Sequence, residues 1–194
     1  MIRVEVLQGA ALDAALDDLA ALRIAVFRDW PYLYDGTAEY ECDYLATYRT
    51  AQGAVVVGAY DNARLIGAAT GTLMSEHADE FADALTGLDV EADAVFYCAE
   101  SVLLPGYRGQ GLGHRFFDLR EARARGLSCT HAAFCAVIRG ADHPLRPENP
   151  RDLAPFWRGR GYAPIPGAVA RFGWRDLGQA ADTEKDLQLW MRAL

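Results

Sequence analysis

The sequence predicts an α+β fold, in which one mixed and mainly antiparallel sheet of about seven strands is flanked by helices. Strand-like and helix-like segments alternate irregularly along the 194 residues. Two pairs of alternating segments, at 54–74 and near the C-terminus, are typical of antiparallel hairpins. The segments 94–104 and 130–138 are almost continuous apolar runs, which indicates strands covered on both faces.

Length and composition favour one compact domain over residues 1–194, because 52% of the residues are apolar and can form a substantial core. No apolar stretch approaches the ~20 residues that a membrane-spanning helix needs. Residues 1–9 have neither the basic start nor the apolar block of a secretory signal. We therefore expect a cytoplasmic protein with no membrane partner.

The charge balance is acidic, with 27 acidic against 19 basic residues and a formal net charge of −8. An anionic backbone is repelled by such a chain on average, so nucleic acid is not an expected partner. A cationic small molecule is more compatible with this charge.

The first strand is predicted before Gly9, where apolar and charged residues alternate. A helix then follows from Leu12 to Val26, with apolar residues at i, i+3, i+4 and i+7. That pattern places Arg23 on the solvent side of the helix. The Trp30-Pro31 pair ends the helix.

The connector after this helix is unusually aromatic, with Trp30, Tyr32 and Tyr34 ahead of Gly36. Turn-forming residues and large rings together are typical of a ligand pocket, and equally of ordinary aromatic packing. Both interpretations are open from the residues alone.

A second helix is predicted over 37–50, where early acidic residues such as Glu41 favour the helix dipole. Capping alone accounts for that acidity. Strands at 54–60 and 65–74 then form a hairpin around a short polar turn. A short helix or loop is expected over 77–88.

The central stretch reads as strand, glycine loop and helix, because Pro105 stops the apolar run and three glycines precede a helix that ends at Gly126. The first turn of a helix has unpaired N–H groups and a partial positive charge, which attract phosphate. Arg108 adds a cation at the entrance of the loop. The P-loop and Rossmann motifs both fit poorly, since the P-loop Lys-Ser/Thr pair is missing and His114 stands at the third Rossmann glycine.

The C-terminal part contributes a buried strand at 130–138, a long proline-rich loop at 139–149, a short helix and a final hairpin of strands at 168–174 and 186–191. Asp152 is predicted to cap the short helix, which ends at Gly161. In a strand, Cys129, His131 and Cys135 share one face, and these residue types are common zinc ligands. No fourth ligand is evident, however. Core packing of small residues is the favoured interpretation, and no metal is expected.

One motif is more specific than the rest. The run from Arg108 to Gly113 matches Gln or Arg, two residues, Gly, one residue, Gly or Ala. With the preceding Leu-Leu-Pro-Gly-Tyr and the later Phe156-Trp157 followed by Gly161-Tyr162, the chain resembles the GNAT superfamily of acyl-CoA-dependent N-acetyltransferases. The resemblance covers most of the second half.

The resemblance implies that the strands at 94–104 and 130–138 are parallel neighbours that splay apart to admit acetyl-CoA as co-substrate. The pantetheine would pair with the main chain near Leu103, and the pyrophosphate would lie on the loop amides. The implied cofactor-binding residues are Leu103, Leu104, Arg108, Gly109, Gln110, Gly111, Leu112, Gly113 and His114. The connector residues Trp30, Tyr32 and Tyr34 would contact the acceptor.

The implied reaction is attack of a neutral amine on the thioester carbonyl. Glu100 is the one charged residue inside the apolar run, so it is the candidate general base, or else the partner of a cation such as Arg139. The main-chain N–H of Leu103 would polarise the carbonyl.

The proton donor to the leaving thiolate is open. Trp157 stands where the family often has tyrosine, and an indole does not readily release a proton. Tyr97, Tyr162, His143 and water are the alternatives.

The predicted function is therefore N-acetyl transfer to a small-molecule or protein amine. A CoA-sensing module without transfer chemistry is the alternative, and ping-pong transfer through Cys98 or Cys135 ranks third. Family members are commonly dimers, so a homodimer is expected.

Overall fold

Seven strands form one sheet in the order β1-β2-β3-β4-β5-β7-β6. The computed structural model describes residues 1–77, 81 and 84–194. The pairs are antiparallel except β4 with β5, which confirms the predicted sheet. The strands are β1 Ile2–Leu7, β2 Val55–Asp61, β3 Arg64–Leu73, β4 Val95–Leu103, β5 His131–Val137, β6 Ala163–Trp174 and β7 Thr183–Ala193.

The α-helices lie on both faces of this sheet. Val56 points toward the cluster formed with the first two helices, whereas Val55 and Val57 point toward the third helix, as the alternation of side chains in a strand requires. Part of the predicted helix or loop at 77–88 lies outside the described residues. The helices used below are α1 Ala10–Phe27, α2 Ala38–Ala46, α3 Leu112–Gly126 and α4 Ala154–Gly159.

Local capping agrees with the sequence. The Thr37 hydroxyl accepts a hydrogen bond from the Tyr40 N–H at 3.4 Å where α2 begins. The Asp152 carboxylate accepts one from the Ala154 N–H at 2.8 Å where α4 begins. Both satisfy N–H groups that have no partner inside the helix.

The last hairpin is longer than predicted. β6 begins at Ala163 rather than 168, and its register with β7 shifts between Pro164 and Val169. Prolines and Gly167, which has φ of +79°, break the alternation on which the sequence prediction depended.

The parallel pair opens after three residue pairs. Val95, Phe96 and Tyr97 face His131, Ala132 and Ala133, after which both strands continue without pairing to each other. On its other side, β4 has one extra residue against β3 between Tyr97 and Glu100. This β-bulge bends β4 away from β5, as bulges do. The predicted splay is confirmed.

In the described part of the chain, no helix combines the length and apolar character needed to cross a membrane.

Candidate active site

A cavity of about 560 Å³ occupies the gap between the splayed strands. One end lies beside the glycine loop, and we call residues 108–114 its loop end. The other lies beside α1 and the connector, and we call residues 26–32 with Glu100 its aromatic end. The predicted residues that line the cavity are Trp30, Tyr32, Glu100, Leu103, Arg108, Gly109, Gly111, Leu112, Gly113 and His114.

Three predicted residues are not part of this lining. Leu104 donates its N–H to the Ile66 carbonyl at 3.0 Å across β3. The exposed Gln110 amide donates to the Gly106 carbonyl at 3.3 Å. Tyr34 lies against Glu41 instead of the cavity, and burial together with that carboxylate raises the pKa of its phenol.

The loop end is built from main-chain groups. Gly109 and Gly111 have φ of +80° and +79°, and a Cβ on either would meet no atom within 4 Å. Gly111 is the residue ahead of α3, so the unpaired N–H groups of the first turn point into open space. The His114 N–H is an exception to the prediction, because it donates to the Gly111 carbonyl at 3.0 Å. His114 contributes its side chain alone.

The N–H of Leu103 points into the gap. The next residue, Leu104, donates toward β3, and successive N–H groups of a strand point to opposite edges. The Leu103 carbonyl, on the same edge as its N–H, accepts a hydrogen bond from Arg108 Nε at 3.2 Å. The Arg108 guanidinium also lies 3.8 Å from the Asp29 carboxylate, so it connects the two ends of the cavity.

Glu100 is held by an ion pair with Arg23, not with Arg139. Arg23 pairs at the same time with Glu41, and Glu100 accepts a hydrogen bond from the Thr70 hydroxyl at 3.1 Å. Burial alone would lower the pKa of Arg23, but the charges of Glu100 and Glu41 outweigh it and raise that pKa. One guanidinium against two carboxylates leaves a net negative charge beneath the aromatic end.

This cluster corrects two sequence expectations. Arg23 is 7% exposed rather than on the solvent side, and Glu41 is 0% exposed rather than a capping charge. Arg23 follows Leu19 by one turn and therefore shares the buried face of α1. Its position could have been found from that spacing, whereas its partners could not.

Sequence reasoning also missed Arg120, which is 1% exposed on α3. Its Nη1 donates to the carbonyls of Glu100 at 2.9 Å and Thr70 at 3.2 Å, and its Nη2 donates to the Ser101 hydroxyl at 2.9 Å. These bonds satisfy main-chain groups beside the bulge, where the ladder is interrupted. The signal was its spacing of four residues after Phe116 on the buried face of the helix.

Arg139 fixes the connector. Its guanidinium donates to the carbonyls of Pro31 at 2.8 Å and Tyr32 at 2.7 Å and forms two hydrogen bonds of 2.7 and 2.9 Å with Asp176. Lys185 lies 3.2 Å from the same carboxylate. Burial would raise the pKa of Asp176, but the hydrogen bonds and charges of Arg139 and Lys185 outweigh it and lower that pKa.

The side chains considered as proton donors in place of a tyrosine at position 157 lie in different parts of the structure. Trp157 lines the cavity and packs between Phe134 and Trp190, with ring centroids at 4.9 and 5.1 Å. Tyr162 is 1% exposed and donates its hydroxyl to Glu121 at 3.1 Å. The His143 ring packs against the Trp30 ring, with centroids 5.5 Å apart.

The cysteines have no disulfide partner: Cys42, Cys98, Cys129 and Cys135 are free. Within the described residues, no group of three or more His, Cys, Asp or Glu side chains could hold a metal ion. The His131 ring instead forms a hydrogen bond of 2.9 Å with the neighbouring Thr130 hydroxyl.

The residues at the loop end fit a phosphate group. They supply free N–H groups, the positive end of the 15-residue helix α3 and open space at Gly109 and Gly111, which together form an anion site. The gap beyond them is lined by Leu103, which offers a main-chain N–H to an extended ligand. A chain with a phosphate at one end and an amide-bearing arm therefore fits this half of the cavity.

The family follows from comparison with known sequences. Residues 19–146 match the model described as the acetyltransferase (GNAT) family. The chain belongs to this family of acetyltransferases. No curated protein matches the chain in sequence.

Solved structures share the fold. A GNAT-family acetyltransferase from Streptococcus pneumoniae is 11% identical with a TM-score of 0.60, covering 100% of both chains. YncA from Salmonella typhimurium, determined with acetyl-CoA, is 11% identical with a TM-score of 0.62, covering 100% of this chain and 94% of that one. The PaiA N-acetyltransferase from Thermoplasma acidophilum, in complex with coenzyme A, is 11% identical with a TM-score of 0.56, covering 100% of this chain and 99% of that one.

Proposed function

We propose that this protein transfers an acetyl group from acetyl-CoA to a primary amine by direct attack of the amine on the thioester. The observation that carries the proposal is one continuous cavity that joins the glycine loop to Glu100 through the gap between β4 and β5. Bound acetyl-CoA would supply an activated acyl group, and each other requirement of the reaction falls to a group of this chain.

The loop amides from Gly109 to Gly113 would hold the pyrophosphate, and the Leu103 N–H would donate to the thioester carbonyl oxygen. A main-chain donor fixed by the β3–β4 ladder needs no reorganisation as charge develops on that oxygen. Arg108 is held at the entrance by the Leu103 carbonyl and Asp29, where it adds positive charge near the phosphates.

The acceptor would enter at the aromatic end. The cluster of Arg23, Glu41 and Glu100 carries more negative than positive charge, which favours an ammonium group over an anion. Glu100 has a side chain only 10% exposed and lines the cavity, so it can take the amine proton directly or through one water. Trp30 and Tyr32 supply apolar surface for the body of the amine.

Transfer through a cysteine is the weaker mechanism. Burial raises the pKa of the Cys98 thiol, and it raises that of Cys135 to about 12. A thiol is a nucleophile as the thiolate, so both residues are poorly suited to form an acyl-enzyme at neutral pH.

A CoA-sensing module is the second candidate, because Trp157 stands where many members of this family have the tyrosine that protonates the leaving thiolate. Such a module would keep the loop end and lack turnover. For both candidate functions the proposed compartment is the reducing cytoplasm, which agrees with the free cysteines.

The test combines titration calorimetry of acetyl-CoA, CoA and dephospho-CoA with thiol release across a panel of primary amines. Binding with amine-dependent release supports the transferase. Binding without release from any amine supports the sensor, and no binding at all overturns both.

The variant Glu100→Gln separates chemistry from binding. It is expected to lower kcat by about 10²–10⁴-fold, the usual contribution of general base catalysis, while the acetyl-CoA affinity stays unchanged. Glu39→Gln, on the exposed side of α2, is the matched control and retains full activity. Unchanged turnover in Glu100→Gln would remove Glu100 from the mechanism.

A further inference from the structure

The proposed transfer leaves one proton without a donor. As the bond between the acetyl carbon and sulfur breaks, the sulfur leaves with the bonding electron pair and must be protonated. Trp157 lies in the expected position but holds its N–H proton too tightly to act as an acid. The donor must therefore be sought elsewhere on the cavity wall.

Of the tyrosines that the structure describes, Tyr32 alone lines the cavity. The Tyr162 hydroxyl donates its hydrogen bond to Glu121 at 3.1 Å. Tyr97 is 7% exposed and packs on Phe81 with ring centroids 4.6 Å apart. Neither belongs to the cavity lining.

We propose that Tyr32 donates the proton to the departing thiolate. This inference rests on the proposed acetyl transfer and assigns to the connector after α1 the role that a tyrosine at position 157 would otherwise fill. Tyr32 is then a catalytic residue rather than only a wall of the acceptor pocket.

The main chain of Tyr32 is firmly held. Its carbonyl accepts hydrogen bonds from Arg139 Nη2 at 2.7 Å and from Trp174 Nε1 at 3.0 Å. Its ring packs on Phe27 at 4.4 Å and on Trp174 at 6.1 Å. The contacts that fix this residue therefore use its carbonyl and ring, which leaves the hydroxyl for chemistry.

Tyr32 lines the gap between the two splayed strands. Both Glu100 on β4 and Cys135 on β5 are close enough to perturb it electrostatically, and both line the cavity. Burial, followed by these two neighbours, raises the pKa of Tyr32 to about 12. The phenol therefore keeps its proton at neutral pH, and it releases that proton as negative charge grows on the sulfur.

Glu100 and Tyr32 together account for every proton in the reaction. The amine nitrogen forms its bond to the acetyl carbon and gives one proton to Glu100, while the sulfur takes the phenolic proton of Tyr32. Protonated Glu100 then returns a proton to the Tyr32 phenolate, directly or through water. The products are an amide and the CoA thiol, and both side chains regain their starting states without any redox change.

The test compares Tyr32→Phe with Tyr60→Phe, which removes one phenol on β2, outside the cavity lining. Each variant is assayed with an amine that the wild-type protein accepts, using acetyl-CoA and its selenoester analogue. A selenol is a much stronger acid than a thiol, so a selenolate leaves without needing a proton. Calorimetry with acetyl-CoA and thermal unfolding establish that each variant folds and binds.

The expected result is a loss of about 10²-fold in kcat for Tyr32→Phe with the thioester, little loss with the selenoester, and near wild-type activity for Tyr60→Phe. Equal losses with both donors, or no loss, would overturn the assignment and leave water as the donor. Absence of amine-dependent release from the wild-type protein would instead overturn the proposed transfer itself. If Tyr32→Phe fails to fold, fluorotyrosine at position 32 makes the same comparison, because it keeps the hydroxyl and makes it more acidic. A rate with the thioester that does not change with this acidity would overturn the assignment.

Discussion

The loop end of the cavity comes from one continuous stretch, whereas the aromatic end is assembled from elements far apart in sequence. At the loop end, Arg108 contacts a carbonyl five positions away and Gln110 one four positions away. At the aromatic end, Arg23 pairs with Glu41 across 18 positions, and Arg139 binds the Tyr32 carbonyl across 107 positions.

The two ends also use different chemistry. The loop end presents main-chain N–H groups, so glycine conformation and the start of a helix are sufficient to form it. The aromatic end depends on buried ion pairs, in which the loss of one partner leaves an uncompensated charge. We therefore expect substitutions at the aromatic end to damage folding most, and substitutions at the loop end to affect ligand affinity.

The largest effect is expected from Arg23→Met. This change leaves Glu41 and Glu100 buried without their cation, so the free energy of unfolding should fall by about 3–5 kcal/mol. Urea denaturation measures it, with Arg125→Met on the exposed side of α3 as the control at about 0.5 kcal/mol or less. A loss below about 1 kcal/mol for Arg23→Met would mean that the cluster adds little to stability.

Asp176→Asn tests the second ion-pair group at the aromatic end. Removing this carboxylate leaves Arg139 and Lys185 buried together, with side chains 9% and 4% exposed, and is expected to cost about 3 kcal/mol at neutral pH. Acetyl-CoA affinity should be unaffected, while turnover should fall because the Tyr32 main chain loses its anchor. Equal damage to acetyl-CoA binding would contradict the separation of the two ends.

The pH dependence of the same variant sharpens that test. Because folding lowers the pKa of Asp176 below its ordinary 3.8, its stabilising contribution is fully present above that value and is lost as pH falls through the folded pKa. The difference in Tm between the wild-type protein and Asp176→Asn should therefore shrink below about pH 3.8. A difference that stays constant with pH would show that the carboxylate charge is not responsible.

The smallest effect is expected at the loop end, from Gly111→Ala. A Cβ there meets no atom within 4 Å, but φ is +79°. Alanine in this left-handed conformation costs about 1 kcal/mol of conformational free energy. Acetyl-CoA should bind about 5–10-fold more weakly, with turnover at saturation preserved. Gly106→Ala, which also meets no atom within 4 Å and has no positive φ, should bind normally; equal weakening of both would show that the left-handed backbone of Gly111 is not what matters.

Several features could be predicted from the sequence because short-range physics decides them. Apolar runs and alternation located the seven strands, and helical spacing located α1 and α3. The order of strand, glycines and helix predicts an anion site, because the N–H groups of a helix start need only local conformation. Glu100 attracted notice because a charge inside an apolar strand must be compensated.

The tertiary structure decided which partners these residues have. Arg23 was expected on the solvent side although its spacing from Leu19 puts it on the buried face of α1, and Glu41 was assigned to capping, yet the two are buried against each other. Arg139, the example offered as a partner for Glu100, instead fixes the connector through Asp176, and Tyr34 lies against Glu41 rather than in the cavity. An ion pair between distant elements depends on how the sheet brings them together, and no local pattern of residues contains that information.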